Sequence, residues 1–196
     1  MKTAPKVIVG NWDKGVALDK HTLSSTFIGN NDSGHPQFDT TRTEVGEAVY
    51  QLKYKADWTQ VECLAQVIVD SAVPLLGKIE FVVPVPATNQ RARQPVYEVA
   101  HAVATKLGKP CFDNMVSKKA PIGETRSLKN LRTKEEKIAS LDGQVVVNNV
   151  ISNDGCWNVL VVDDLYDSGA TLEEVCKQLR SYSKVGKIFV TTLTWR

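Results

Sequence analysis

Apolar positions along the chain fall into short continuous runs alternating with stretches of helical spacing. Trp58, Val61, Leu64, Ala65, Ile68 and Val69 recur on one helical face that extends towards Leu76, which predicts a helix from Asp57 onward. Residues 79–85 then form the continuous apolar run of a buried strand. A second helix is predicted where Val96, Val99, Ala100, Val103 and Leu107 fall in register. Residues 110–116, 144–151 and 159–162 read as further strands. Leu172, Val175, Cys176 and Leu179, at i, i+3, i+4 and i+7, mark a third helix, and 187–193 the last strand. Strands alternating with helices predict an α/β fold: a doubly wound, mostly parallel sheet with helices on both faces.

Two regions depart from this rhythm. Residues 1–56 are rich in Gly, Asn, Asp, Ser and Thr, with short apolar runs at 6–10 and 26–29 and a turn-like GNNDSGHP at 29–36. They read as a β-rich N-terminal extension, a hood, ahead of a core at 57–196. Residues 117–142 are polar and lean basic. A connection of that length in a compact domain predicts a mobile lid, carrying Lys118, Lys119, Arg126 and Lys129. For 133–140 a solvated helix is an equal alternative.

Composition narrows the classes. The 196 residues suffice for one α/β domain, and a net charge of +2 does not indicate a nucleic-acid binder. No apolar stretch is long enough to span a bilayer, and the N-terminus has no extended signal core, so a cytoplasmic location without membrane partners is expected. Cys63, Cys111, Cys156 and Cys176 form no CxxC pair and read as reduced core thiols.

The candidate chemistry lies in NVLVVDDLYDSGAT, residues 158–171. An apolar strand ends in Asp163 and Asp164. A small-residue loop of Asp167, Ser168, Gly169, Ala170 and Thr171 follows and opens a helix. Helix N-termini present N–H groups and a positive dipole end, which suit a phosphate. The two carboxylates suit a Mg2+ shell or a pair of sugar hydroxyls. Together they point to a phosphorylated sugar. A second loop, Pro86, Ala87, Thr88, Asn89 and Gln90 with Arg91 and Arg93, offers N–H donors and guanidinium forks to an anion.

Residues 158–171 resemble the phosphoribosyl pyrophosphate (PRPP) signature of type I phosphoribosyltransferases. The likeness implies PRPP binding by Asp163, Asp164, Asp167, Ser168, Gly169, Ala170 and Thr171, with Mg2+ at Asp163 and Asp164. It also implies a diphosphate loop at Pro86, Ala87, Thr88, Asn89, Arg91 and Arg93. QLKYKAD at 51–57, the VPVP run before the arginines and the ending TLTWR are similar to the competence-factor ComF family, over roughly residue 48 to the end. That family's cysteine-rich zinc element and its RGFNQ passage are absent here. DDLYDSGAT is also similar to purine-salvage enzymes, in which the matching Asp accepts a proton near the base. Asp167 is then a candidate catalytic residue, with helix capping as the equal alternative. Those enzymes carry a Lys near the end of the following strand. Thr194, Trp195 and Arg196 stand there, so base specificity does not carry over.

The implied activity is phosphoribosyl transfer from PRPP to an unidentified nitrogen acceptor, a nucleobase among the candidates, with release of pyrophosphate. The alternatives are a PRPP- or nucleotide-sensing or partner-binding protein on the same fold, and a nucleotide- or PRPP-hydrolysing enzyme. The hood is the natural candidate to read the acceptor, with Trp12, His21, Phe27, His35 and Phe38 available there, although for each of them core packing or a plain surface position is the favoured reading. A homodimer is compatible with this reading, and nothing in the chain specifies one.

Overall fold

The computed structural model describes residues 1–87, 91–119 and 143–196. At its centre runs β8 (Trp157–Tyr166), whose residues Val159, Leu160, Val161 and Val162 are all fully buried. A strand can bury four successive side chains only when both sheet faces are covered. β5 (Phe81–Pro84) pairs with β8 in parallel on one side and β9 (Val185–Trp195) on the other. β2 (Lys14–Lys20) adds in parallel to β9, and β1 (Lys6–Val7) closes that edge antiparallel. The central sheet is therefore mostly parallel, in the order β1-β2-β9-β8-β5.

Side-chain alternation divides the core. Leu160 and Val162 face α1 (Glu44–Tyr54), α2 (Gln60–Ser71) and α3 (Pro95–Leu107). Val159 and Val161 face α4 (Ala170–Arg180), together with Met115, Val116 and Val145. Helices on both faces make the fold doubly wound, as the alternating pattern predicts.

The winding reverses at the boundary between β5 and β8. From β5, the chain passes through α3 to residues 110–112 on the outer side of β5, where Val82 N–H donates to Pro110 O at 3.0 Å and Phe112 N–H to Val82 O at 3.0 Å. From β8, the chain passes through α4 to β9 on the opposite side. Such a switch point leaves a crevice at the carboxyl ends of the two strands.

Three details differ from the sequence reading. The strand expected at 110–116 is only an isolated bridge at Cys111, because a turn intervenes with Met115 N–H on Phe112 O at 3.3 Å. β6 (Val116–Lys118) then pairs antiparallel with β7 (Val145–Val147). This small pair joins the described ends of the segment read as a lid, whose residues 120–142, with Arg126 and Lys129, lie outside the described residues. Finally, 1–56 is rich in strands but is not separate from the core. β1 and β2 belong to the central sheet, and Glu44–Tyr54 is a helix whose Val45, Ala48, Val49 and Leu52 are core. Thr43 caps it, its hydroxyl accepting from Gly46 N–H at 2.9 Å. Gly46 permits the close packing, since a Cβ there would stand 2.2 Å from the His21 carbonyl.

Within 1–56, the hairpin of β3 (Thr22–Asn30) and β4 (Pro36–Arg42) stands outside the main sheet. It starts beyond the carboxyl end of β2, on the same sheet edge as the crevice. Phe27 and Phe38 pair edge to face across it at 5.7 Å, and both are exposed.

The two layers meet at β8, so Leu160→Ala should cost about 2–5 kcal/mol in urea unfolding. The exposed Phe27→Ser should cost well under half of that. Equal losses for the two variants would contradict this division between core and hairpin.

Candidate functional site

Val85 N–H donates to Val162 O at 2.9 Å, and β5 pairs with β8 no further. β9 continues alongside, with Asp163 opposite Thr192, Leu165 opposite Thr194 and Tyr166 opposite Trp195. Asp163 and Asp164 therefore lie within a strand on one flank and at an open crevice on the other. The sequence reading ended the strand at Val162; one-sided pairing carries it four residues further.

The two carboxylates meet different surroundings. Asp164 Oδ2 is 2.6 Å from Lys53 Nζ, in the last turn of α1. Burial of Lys53 lowers its pKa, but the charge and hydrogen bond of Asp164 outweigh this and hold it above the ordinary lysine value. Asp163 Oδ1 accepts from Asp164 N–H at 2.8 Å. Desolvation, with the charge of Asp164 beside it, pushes the Asp163 carboxyl up to about 7 despite that hydrogen bond and the fields of Lys53 and Lys118. Lys118, on β6, is itself shifted down by burial. Hard carboxylate oxygens whose negative charge is crowded and desolvated fit Mg2+, which would restore the ionised form of Asp163.

The candidate phosphate loop follows directly. Gly169 is the N-cap of α4 with φ 79°, and a Cβ there would lie 3.0 Å from the Tyr166 ring. The left-handed turn and the narrow space both call for glycine. Gly169 has no side chain with which to cap the helix, and Ala170 N–H reaches the Ser168 hydroxyl at 3.5 Å. Ala170 and Thr171 open α4, so the first-turn N–H groups face the loop. Asp167 is exposed at the loop's start.

Across the crevice, Pro86 is buried and Ala87 half-buried directly after β5, while Thr88 and Asn89 lie outside the described residues. Arg91 Nη1 donates to the Lys53 carbonyl at 2.8 Å, which ties it to the end of α1 that carries Lys53. Arg93 is held differently. It pairs with Glu98 at 2.6 Å and lies 4.1 Å from the Trp58 ring centre, bracing α3 against the start of α2. Lys119 N–H closes the β6–β7 pair on Gln144 O at 2.7 Å.

Of the residues read as hood candidates, His21 lies at the carboxyl end of β2. Thr194 Oγ1 donates to Asp164 O at 3.0 Å and lies 3.1 Å from His21 Nδ1. With its proton committed to the carbonyl, the hydroxyl accepts from His21 Nδ1–H, leaving Nε2 as the lone-pair nitrogen. Burial and the charges of Arg196, Arg42 and Lys53 lower the His21 pKa. Trp12 is buried instead, its Nε1–H donating to Ile8 O at 2.9 Å. His35 and the two phenylalanines are on the hairpin.

The cysteines also differ from the expectation of core thiols. Cys176 is buried, whereas Cys63 and Cys156 are exposed. Cys111 lies with His101 and Asp113, their donor atoms within 4.8 Å of one another. They satisfy one another, with His101 Nε2 2.6 Å from Asp113 and the Cys111 thiol donating to the same carboxylate at 3.6 Å. Burial and the Asp113 charge push the thiol up to about 12.

Lys53 is the site residue that sequence reasoning missed. It stands in the QLKYKAD passage quoted above, but nothing in its spacing shows that α1 delivers it to Asp164.

No family model and no curated protein matches the chain. Solved structures that resemble it include the adenine phosphoribosyltransferase of Thermoanaerobacter pseudethanolicus, with 14% identity, coverage of 88% of this chain and 95% of that one, and a TM-score of 0.46. The adenine phosphoribosyltransferase of Trypanosoma brucei, solved with AMP, pyrophosphate and ribose-5-phosphate, is 12% identical and scores 0.48, covering 98% of this chain and 74% of its own. A Leishmania donovani UMP synthase is 12% identical and scores 0.41; this chain is covered over 85% and spans 27% of that one. Likeness at this level assigns no function.

The Asp163 carboxyl holds its proton more tightly in the folded state (about 7) than at its ordinary 3.8. Its contribution to stability is full below the ordinary value and is lost as pH rises through 7. Without divalent metal, Asp163→Asn should therefore gain in Tm relative to wild type on going from about pH 5 to about pH 8. A pH-independent difference in Tm would show that the carboxyl is not raised.

Proposed function

We propose that the protein transfers the 5-phosphoribosyl group of PRPP to a nitrogen acceptor, releasing pyrophosphate. The observation that carries this reading is the meeting of three elements at the switch point: the carboxylates of β8, the N-terminus of α4 behind Gly169, and the loop leaving β5. They suit, in turn, a ribose diol with its metal, a 5′-phosphate and a diphosphate. A single phosphorylated sugar carrying a diphosphate would use all three.

In this reading Asp163 and Asp164 hold the ribose hydroxyls, and residues 167–171 hold the 5′-phosphate through loop N–H groups and hydroxyls. Pro86, Ala87 and Arg91 face the diphosphate, and Lys118 adds positive charge on the Asp163 side. The acceptor nitrogen bonds to the anomeric carbon as that carbon's bond to the pyrophosphate oxygen breaks. The electron pair leaves with pyrophosphate, and the acceptor's proton passes to a nearby base, for which Asp167 is the candidate. Mg2+, when bound, would neutralise the charge growing on the leaving pyrophosphate. The protein's own contribution is positioning and fixed positive charge. The hairpin rises from the same edge, which supports a role for it over the acceptor.

The test is a thermal-shift titration with PRPP and Mg2+, followed by pyrophosphate release with each nucleobase in turn. PRPP binding with base-dependent release is the expected outcome. Binding without turnover would favour a sensor, release without any base would favour hydrolysis, and no PRPP binding would end the proposal. The double variant Asp163→Asn, Asp164→Asn should stay folded and lose Mg2+-dependent PRPP binding. Unchanged affinity would remove the acids from the site.

Asp167→Asn separates chemistry from loop shape. As a proton acceptor, Asp167 should be worth about 10²–10⁴ in turnover, with PRPP affinity little changed. Wild-type turnover in Asp167→Asn would leave the residue a helix cap.

A further inference from the structure

We infer that Lys53 is the resident counter-ion of Asp164, yielding that carboxylate to a divalent cation only when the cation arrives with PRPP. This rests on the PRPP reading above. Four observations carry it. The ion pair is short, 2.6 Å from Nζ to Oδ2, and both side chains are largely enclosed, at 29% and 20% exposed. It is a long-range contact, 111 residues apart in sequence, between an acid of the candidate metal shell and the last turn of a helix that packs over β2 and β9. The lysine backbone is fixed independently of its side chain: Arg91 Nη1 binds its carbonyl at 2.8 Å. Finally, the direct contact is with Asp164 alone: Asp163 accepts from Asp164 N–H and feels Lys53 and Lys118 only through their fields.

A lysine is suited to this task. Its ammonium is a point charge on a flexible four-carbon stem, able to leave one anion for another a short swing away. A bare divalent cation approaching Asp164 meets a positive charge already in place and must displace it without recompense. A cation carried in by PRPP brings phosphate oxygens to which the displaced ammonium can turn. The anchored α1 end ties the lysine backbone to Arg91, near the end of the candidate diphosphate loop. Lys53 is thus a positioning residue that makes metal binding conditional on the sugar phosphate. If the ion pair only pins α1 to β8, it should support folding and leave the metal's preference untouched.

The experiment measures Mn2+ binding by electron paramagnetic resonance, with and without PRPP, for the full chain. The wild type is compared with Lys53→Met, Lys53→Gln and Lys53→Arg, with circular dichroism confirming the fold. Without PRPP, the two neutral variants should bind Mn2+ about tenfold or more tightly than wild type, because a positive charge a few ångströms from the metal has gone. Lys53→Arg keeps the charge and should stay near wild type. The factor by which PRPP tightens Mn2+ should shrink in the neutral variants, and by linkage so should the factor by which Mn2+ tightens PRPP. Folded neutral variants with wild-type Mn2+ affinity would overturn the proposal and leave Lys53 a structural pin. If Lys53→Met does not fold, Lys53→Gln decides the same question. A wild type that binds no PRPP would defeat the functional reading instead, while the metal-only comparison would still report on the counter-ion.

Discussion

Two adjacent carboxylates at the end of a buried strand set the terms for everything around them. Like charges so close cannot both remain ionised in a desolvated setting unless cations or N–H donors stand nearby. The structure answers with Lys53 on one side, the field of Lys118 on the other, and the Asp164 amide between them. Even so, Asp163 is held well above an ordinary carboxylate. Such an arrangement costs stability, and a buried ion pair is poor evidence of stabilisation in its own right. Carboxylates kept in this condition make sense where a ligand completes their surroundings.

The sheet explains why the acids can be there. β5 stops pairing at Val162, whereas β9 runs on to Trp195. β8 thus keeps its backbone hydrogen bonds on one flank through the acid pair and exposes the other flank to the crevice. The reversal of winding between β5 and β8 ensures that no connection crosses this gap. One register detail therefore gives both a rigid support for the acids and an opening for a ligand.

The parts of this arrangement that were legible in the sequence are those encoded locally. A run of four apolar residues, two acids, a small-residue loop and a helical period of apolar positions specify β8, its loop and α4 with little help from elsewhere. α1 was not legible. Its sequence follows a Ser- and Thr-rich hairpin, contains a glycine and is short, and what stabilises it is packing of Val45, Val49 and Leu52 on the sheet. The membership of β2 in the central sheet was equally hidden, since its partner β9 comes about 170 residues later. Lys53 combines both difficulties: it sits on an unpredicted helix and acts on a residue 111 positions away.

The two arginines after β5 show the limit of reading chemistry from residue type. Both have the guanidinium fork suited to phosphate, and they are two positions apart. Arg93 is claimed by Glu98 in the first turn of α3 and by the face of Trp58, contacts that brace two helices. Arg91 donates one nitrogen to the Lys53 carbonyl, and that single bond ties the loop after β5 to the helix that carries Lys53. The loop, α1 and the acid pair are thereby linked through one lysine, by its carbonyl on one side and its ammonium on the other. A ligand that draws the ammonium away from Asp164 acts on a backbone already fixed to the opposite wall of the crevice. Charge can then be redistributed at the mouth without moving the strands that define it.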